Sequence, residues 1–166
     1  SGRRRESDNG VRDEDEWSEA EDARWRVTRE DANKALMRAY IDGDFYDLID
    51  VDSFGSNSTF ISSALRAVRW DGGLLYITST DGLSSGGRTP YKALASYGAF
   101  TRAHPAVNEQ GLRILLGHAV REGAAQKLRV TPVFSLFARH GPVFRVLCRV
   151  EKRAGSLAQR LCHVGH

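Results

Sequence analysis

DLIDVDSFGS, the stretch from Asp47 to Ser56, decides how the rest of the sequence is interpreted. Its apolar part belongs to a compact run, Phe45 to Val51, that is interrupted only by Asp47 and Asp50. Such a run predicts a strand covered on both faces, as in a parallel sheet. Gly55 allows the chain to turn sharply directly after this strand.

The next two segments complete a βαβ unit. Apolar residues at helical spacing predict a helix from Thr59 to Arg69, and LLYITST, Leu74 to Thr80, predicts the second strand. The two strands should be parallel, because a helix returns the chain to the same edge of the sheet. A Gly/Ser loop, Asp81 to Thr89, follows the second strand, where open α/β sheets place their ligands.

The flanking segments extend this unit into an α/β domain with a mixed sheet. Before it, a short strand (24–28) and a helix to about Tyr40 are predicted; after it, two helices (90–97, 108–126) and two hairpin-connected strands (130–137, 143–150). Parallel units followed by an antiparallel pair predict a mostly parallel sheet with a C-terminal antiparallel strand pair.

The charge is unevenly distributed along the chain. Residues 31–166 hold 17 Lys and Arg against 11 Asp and Glu, a net +6, whereas residues 1–30 hold 7 against 10, a net −3. A basic folded portion suits a polyanionic partner, although an ordinary basic surface explains the charge equally well.

Hydropathy and cysteine content bound the class of protein. No run approaches the roughly 18 apolar residues that a membrane span needs, so no membrane association is expected. Cys148 lies in an apolar run and Cys162 near the chain end, which argues against a disulfide framework. A reducing, intracellular location is expected, with no preference among nucleus, mitochondrion and plastid.

The end of the first βαβ strand carries a carboxylate and a ring, Asp52 and Phe54, on either side of Ser53. Methylation of an exocyclic amine requires acceptors for its N–H groups and a rigidly held base. Asp52 and the Ser53 carbonyl can accept these hydrogen bonds, and Phe54 can stack on the base. In the structural alternative, Asp52 caps the next helix and Phe54 lies in the core. The residues alone favour neither interpretation over the other.

Two further sites are candidates. Asp31 can accept from the adenine amine of a nucleotide-like cofactor, although a helix cap is the better interpretation of that residue by itself. Thr80 and Asp81 place polar groups at the next strand end, with an ordinary Asx turn as the alternative. The spacing of histidines and cysteines matches no common metal site, and neither a P-loop nor a G-x-S-x-G elbow is present.

Several motifs in order resemble one family, the tRNA guanine-26 N2-dimethyltransferases, and in particular plant-type members with Asp-Ser-Phe-Gly in place of Asp-Pro-Phe-Gly. The similarity covers about residues 27 to 150. The motifs that carry it are VTREDA (27–32), DLIDVDSFGS (47–56), GGLLYITSTDG (72–82), YGAF (97–100), NEQGLRILLG (108–117) and GPVFRVLCRV (141–150).

The resemblance implies a Rossmann-like methyltransferase sheet, S-adenosylmethionine as methyl donor and guanosine 26 of tRNA as target. It further implies a role for each matched residue. Asp31, Ala32 and Asp52 would contact the cofactor; Asp52, Ser53 and Phe54 would act in catalysis; Phe54, Gly55, Thr80 and Asp81 would contact the base. Ser53 replaces a proline, so the fixed φ that proline provides is lost.

The resemblance also implies a domain arrangement. Residues 1–22 should form an acidic flexible segment, residues 23–152 the C-terminal part of the catalytic domain, and residues 153–166 a tail leading to a missing C-terminal domain. The family's Gly-containing cofactor motif is not matched, so this chain by itself should bind cofactor weakly and be inactive. Oligomeric state is left open. A catalytically silent RNA-binding relative is the alternative function.

Overall fold

A computed structural model of the chain describes residues 25–152. Segments 1–22 and 153–166, together with Cys162, therefore lie outside the described residues. The elements in chain order are α1 (Ala32–Asp42), β1 (Leu48–Asp52), α2 (Ser58–Ala67), β2 (Asp71–Ser79), α3 (Gly82–Ser85), α4 (Pro90–Tyr97), α5 (Val107–Ala125), β3 (Leu128–Ala138) and β4 (Val143–Lys152).

The four strands form one mixed sheet in the order β1-β2-β4-β3. β1 and β2 pair in parallel, from Leu48 opposite Leu74 to Asp52 opposite Thr78, which confirms the predicted βαβ unit. β4 pairs antiparallel with both β2 and β3, which confirms the C-terminal antiparallel hairpin. The parallel share is smaller than expected, because only one of the three described pairings is parallel.

A hydrophobic core lies between one face of the sheet and helices α2 and α5. Ile61 and Leu65 of α2 and Leu115 of α5 are fully or almost fully buried against the strands. Cys148 of β4 is also completely buried, and this burial raises the pKa of its thiol to about 12. At neutral pH Cys148 is therefore a protonated, apolar core residue.

One face of β1 is exposed, whereas the sequence predicted that both faces are covered. Burial alternates along this strand. Leu48 on the uncovered face is 52% exposed, and Asp50 and Asp52 on the same face are also exposed. Coverage on both faces is therefore wrong for this strand within residues 25–152, because its buried side chains, Ile49 and Val51, all lie on one face.

Two local predictions also need correction. The short strand predicted for residues 24–28 is absent, since residues 25–29 have no regular secondary structure and Arg24 lies outside the described part. The loop predicted for residues 81–89 contains one helical turn, α3, because the Asp81 side chain accepts a hydrogen bond from the Ser84 backbone N–H and caps it.

Two glycines of α5 should respond oppositely to alanine. A Cβ at Gly111 would overlap the ring of the buried Phe144, whereas a Cβ at Gly117 would meet nothing within 4 Å. Gly117→Ala should raise the free energy of unfolding by about 0.5–1 kcal/mol, because alanine favours the helix. Gly111→Ala should lower it by about 1–3 kcal/mol through overpacking. Urea unfolding followed by circular dichroism measures both, and equal shifts would contradict the packing of α5 on β4.

Candidate active site

The predicted site lies where β1 and β2 end side by side. Asp52, the last residue of β1, is paired with Thr78 of β2, and both strands then pass into short connecting loops. Carboxyl ends of neighbouring parallel strands form the edge at which open α/β sheets bind ligands. The structure thus brings the Asp-Ser-Phe-Gly loop and the Thr80-Asp81 dipeptide to one edge.

Gly55 is held to the end of β2 by three hydrogen bonds. Its N–H donates to Thr80 Oγ1 at 2.7 Å, while its carbonyl accepts from the Thr80 N–H at 3.1 Å and from Ser79 Oγ at 3.0 Å. Gly55 has φ +78°, a conformation that residues with a side chain rarely adopt. We call this set of bonds between Gly55, Ser79 and Thr80 the Gly55 clamp. It fixes the position of the loop relative to both strands.

The loop presents its two predicted functional side chains to the outside. Phe54 is 100% exposed, and Asp52 is exposed on the uncovered face of the sheet. The N-cap of α2 is Asn57, whose fully buried side chain instead donates to the Val51 carbonyl at 2.9 Å. The structural alternative, with Asp52 capping the helix and Phe54 in the core, is therefore excluded.

Ser53 occupies the position between them. Its Oγ is buried and has no hydrogen-bond partner within residues 25–152. A serine in place of proline gives up a fixed φ. The Gly55 clamp supplies a restraint two residues later, so the loop is held by hydrogen bonds to β2.

The uncovered face of the sheet places a second carboxylate near Asp52. Partial burial raises the pKa of Asp50, the nearby charge of Asp52 raises it further, and Arg145 opposes both effects. Two like charges in proximity make ionisation of the pair more costly, and a cation reduces that cost. Asp50, Asp52 and Arg145 therefore form one electrostatic group on this face.

Asp81 is engaged within the protein. Only 7% exposed, it accepts from the Ser84 N–H at 3.1 Å and from Ser84 Oγ at 2.8 Å, and Lys92 Nζ lies 3.5 Å from its carboxylate. The Thr80 hydroxyl is likewise committed to Gly55. These contacts indicate that Thr80 and Asp81 position the loops at this edge of the sheet. For Asp81, they match the Asx-turn alternative.

Sequence reasoning missed two side chains of the site. Ser79 is buried and bonds to Gly55, and Tyr97 of α4 is almost fully buried beside Ser79 and Asp81, where burial raises the pKa of its phenol. A signal for Ser79 existed in its position directly before Thr80. Tyr97 carried none, because its proximity depends on how α4 packs.

Asp31 caps α1, since its Oδ1 accepts from the Lys34 N–H at 3.0 Å, and Ala32 is the first residue of that helix. Both residues are exposed, and only one carboxylate oxygen of Asp31 is engaged by a residue of the described chain. Asp31 therefore caps α1, as the alternative interpretation predicts. Its second carboxylate oxygen can still accept a hydrogen bond from another donor. The structure shows no contact that joins Asp31 to the Asp52 loop.

Two negative observations apply to the part of the chain that the structure describes. No group of three or more His, Cys, Asp or Glu side chains is arranged there to hold a metal ion. None of its helices is both long and apolar enough to cross a membrane.

The Gly55 clamp can be tested through stability. Thr80→Val should lower the free energy of unfolding by about 1–3 kcal/mol, because the partly buried Gly55 N–H loses its acceptor. Thr80→Ser keeps the hydroxyl and should stay close to the unaltered protein. Urea denaturation of both variants measures the difference. Equal stability of the Val and Ser variants would show that the hydroxyl does not stabilise the loop.

Comparison with known proteins identifies one family. Residues 9–165 match the family described as N2,N2-dimethylguanosine tRNA methyltransferase. Similar curated proteins are the tRNA (guanine(26)-N(2))-dimethyltransferases of Pyrobaculum aerophilum, 36% identical over 140 residues, and Methanocaldococcus jannaschii, 32% identical over 139 residues. These alignments cover 84% and 83% of this chain but 37% and 36% of the relatives, so the chain spans little more than a third of their length.

A solved structure is similar as well. Trm1 from Pyrococcus horikoshii in complex with S-adenosyl-L-methionine superposes with a TM-score of 0.73 at 27% identity, over 81% of this chain and 34% of that one. The similarity confirms the Rossmann-like methyltransferase architecture implied by the sequence motifs. The chain belongs to the N2,N2-dimethylguanosine tRNA methyltransferase family.

Proposed function

We propose that the full encoded protein transfers methyl groups from S-adenosylmethionine to N2 of guanosine 26 in tRNA. The observation that carries this proposal is the exposure of Asp52 and Phe54 on a loop clamped to the carboxyl ends of β1 and β2. A carboxylate and a free aromatic ring on a rigid loop suit an exocyclic amine and a flat base. The names of the curated relatives point to the same substrate.

The base-binding half of the site would act through orientation. Phe54 stacks on the extruded guanine, and the Asp52 carboxylate and the Ser53 carbonyl accept hydrogen bonds from the two N2–H groups. These acceptors draw electron density onto N2, which counters its delocalisation into the ring. N2 would attack the methyl carbon, the bond from that carbon to sulfur would break with its electron pair leaving on sulfur, and N2 would lose a proton to Asp52 or water.

The residues present fit part of the cofactor's requirements. S-adenosylmethionine, when bound, supplies an electrophilic methyl group on a sulfonium. The exposed Asp31 has a carboxylate oxygen available for the adenine amine, Ala32 follows it at the helix start, and Asp52 lies at the strand end. We assign to these three residues the contacts of this chain with the cofactor.

Methyl incorporation tests the proposal. Radiolabelled S-adenosylmethionine, unmodified tRNA transcript and the full encoded protein should give label at guanosine 26. A transcript with inosine at this position keeps the base shape but lacks the N2 amine, and it should take up no label. The absence of label in the guanosine transcript would overturn the proposal. Tight tRNA binding without transfer would instead favour the silent RNA-binding relative.

A further inference from the structure

The segment after β2 is basic and faces solvent. Between Asp81 and Glu109 the sequence has no acidic residue, while Arg88, Lys92 and Arg102 are all exposed. Lys92 is partly neutralised by Asp81, at 3.5 Å, but Arg88 and Arg102 form no ion pair with any residue of the described chain. The two guanidinium groups are therefore available to an anionic partner.

Two aromatic rings stand among these cations. Tyr91 of α4 is 78% exposed and Phe100 is 51% exposed, and the rings meet edge to face with their centroids 5.7 Å apart. Exposed ring faces beside guanidinium groups are what proteins use to stack unpaired bases and contact phosphates. We call Arg88, Tyr91, Lys92, Phe100 and Arg102 the basic aromatic surface.

Hydrogen bonds fix the backbone that carries this surface. Thr101 Oγ1 donates to the Ser84 carbonyl at 2.7 Å, and Gln110 Nε2 donates to the Ser85 carbonyl at 2.7 Å. Gly87, with φ +74°, packs against the backbone of Arg102 so closely that a Cβ would overlap it. The loops before and after α4 are thus locked together, and little ordering would be needed on binding.

The surface adjoins the candidate active site. Thr80, which clamps the loop of Phe54, is separated from α3 by Asp81 alone, and Asp81 in turn contacts Lys92. A nucleic acid that inserted a base against Phe54 would pass its adjacent backbone over this side of the sheet edge.

We propose that the basic aromatic surface binds the tRNA strand that flanks the target guanosine. Arg88 and Arg102 contact phosphates, and Tyr91 with Phe100 stacks on an unpaired neighbouring base. The identity of the RNA rests on the proposed function, but the surface itself does not. A protein partner fits less well, because a surface with three exposed cations and no acid matches a uniform polyanion.

Charge reversal tests the phosphate contacts. Arg88→Glu with Arg102→Glu should weaken binding of an unmodified tRNA transcript to the chain at least about tenfold, and lower the steepness of its salt dependence by about 2. The matched control is Lys127→Glu with Lys152→Glu, the same charge change at exposed positions at the other end of the sheet, where β2 and β3 begin and β4 ends. It should weaken binding less than about threefold.

A second pair of variants tests the stacking contact. Tyr91→Ala should weaken tRNA binding about tenfold without changing the salt dependence, whereas Tyr91→Phe should bind like the unaltered chain. Tyr91 is mostly exposed, so the Phe variant should keep the unfolding curve, and the Ala variant should lose only the edge contact with Phe100. An equal loss in both Tyr91 variants would contradict base stacking.

Binding is measured without cofactor, so its outcome is independent of methyl transfer. Equal weakening by the two double variants would overturn the proposal, as would the absence of tRNA binding by the unaltered chain at about 50 mM salt. The surface would be assigned to a protein contact if reversal of Arg88 and Arg102 left tRNA binding unchanged but abolished self-association of the chain. If the predicted binding pattern is observed but methyl transfer fails, the proposed function is overturned and the proposal for the basic aromatic surface stands.

Discussion

Replacing Asp52 by Asn should lower the rate of methyl transfer to tRNA by about 10³-fold in the full encoded protein. In the proposed mechanism, the carboxylate accepts a hydrogen bond from the exocyclic amine and attracts the positive charge that develops on N2. An amide keeps the shape but loses that charge. The effect should fall mainly on kcat, because the interaction strengthens as N2 acquires the methyl group.

The fold should be unaffected by this substitution. Asp52 is exposed and forms no hydrogen bond with any side chain that the structure describes. Asp50→Asn is the matched control, since it removes a carboxylate from the same face of β1, two residues earlier. Asp50 lies outside the Asp-Ser-Phe-Gly loop and has no assigned contact with the amine, so loss of its carboxylate should cost less than about tenfold. Single-turnover methylation measures both variants. Retained transfer in Asp52→Asn, or equal losses in the two, would remove Asp52 from its assigned role.

The parallel β1-α2-β2 unit was predictable because its signals agree with one another. Apolar runs of strand length flank a segment with helical spacing, and glycines mark the turns. The hairpin of β3 and β4 was predictable for the same reason. Family motifs then placed these elements in a methyltransferase sheet, which local periodicity could not do.

The uncovered face of β1 was not predictable from its composition. Leu48 is as apolar as a core residue, yet it lies on the side that no helix within residues 25–152 covers. Whether one or both faces of a strand are buried depends on where the other elements pack. The strand itself carries that information only in the alternation of Leu48, Asp50 and Asp52 with Ile49 and Val51.

Candidate side chains for the site could be named from the sequence, but the contacts that hold them in place could not. Asp52 and Phe54 could be singled out, while their exposure, which excludes the capping alternative, required coordinates. Thr80 was expected to contact the base, but its hydroxyl is committed to Gly55. A clamp between residues 25 positions apart depends on the strand pairing and leaves no periodic signal in the sequence.

Phe54→Ala should lower kcat/KM for tRNA methylation by about 10- to 100-fold, the second large effect expected at this site. The ring is fully exposed, so its removal should leave the free energy of unfolding unchanged and the affinity for cofactor intact. Phe54→Tyr keeps a stacking face and should retain most activity. Phe54→Leu keeps apolar volume without an aromatic face and should resemble the Ala variant.

The Leu and Tyr variants together separate stacking from simple hydrophobic contact. Activity near that of the unaltered protein in Phe54→Leu would show that the site needs only an apolar wedge. Because the Gly55 clamp fixes the backbone one residue later, a stacked base would be held at a defined distance from Asp52. Thr80→Val should therefore reproduce part of the Phe54→Ala defect with the ring still present. An unchanged rate in Thr80→Val would show that the loop is positioned by the bound RNA itself.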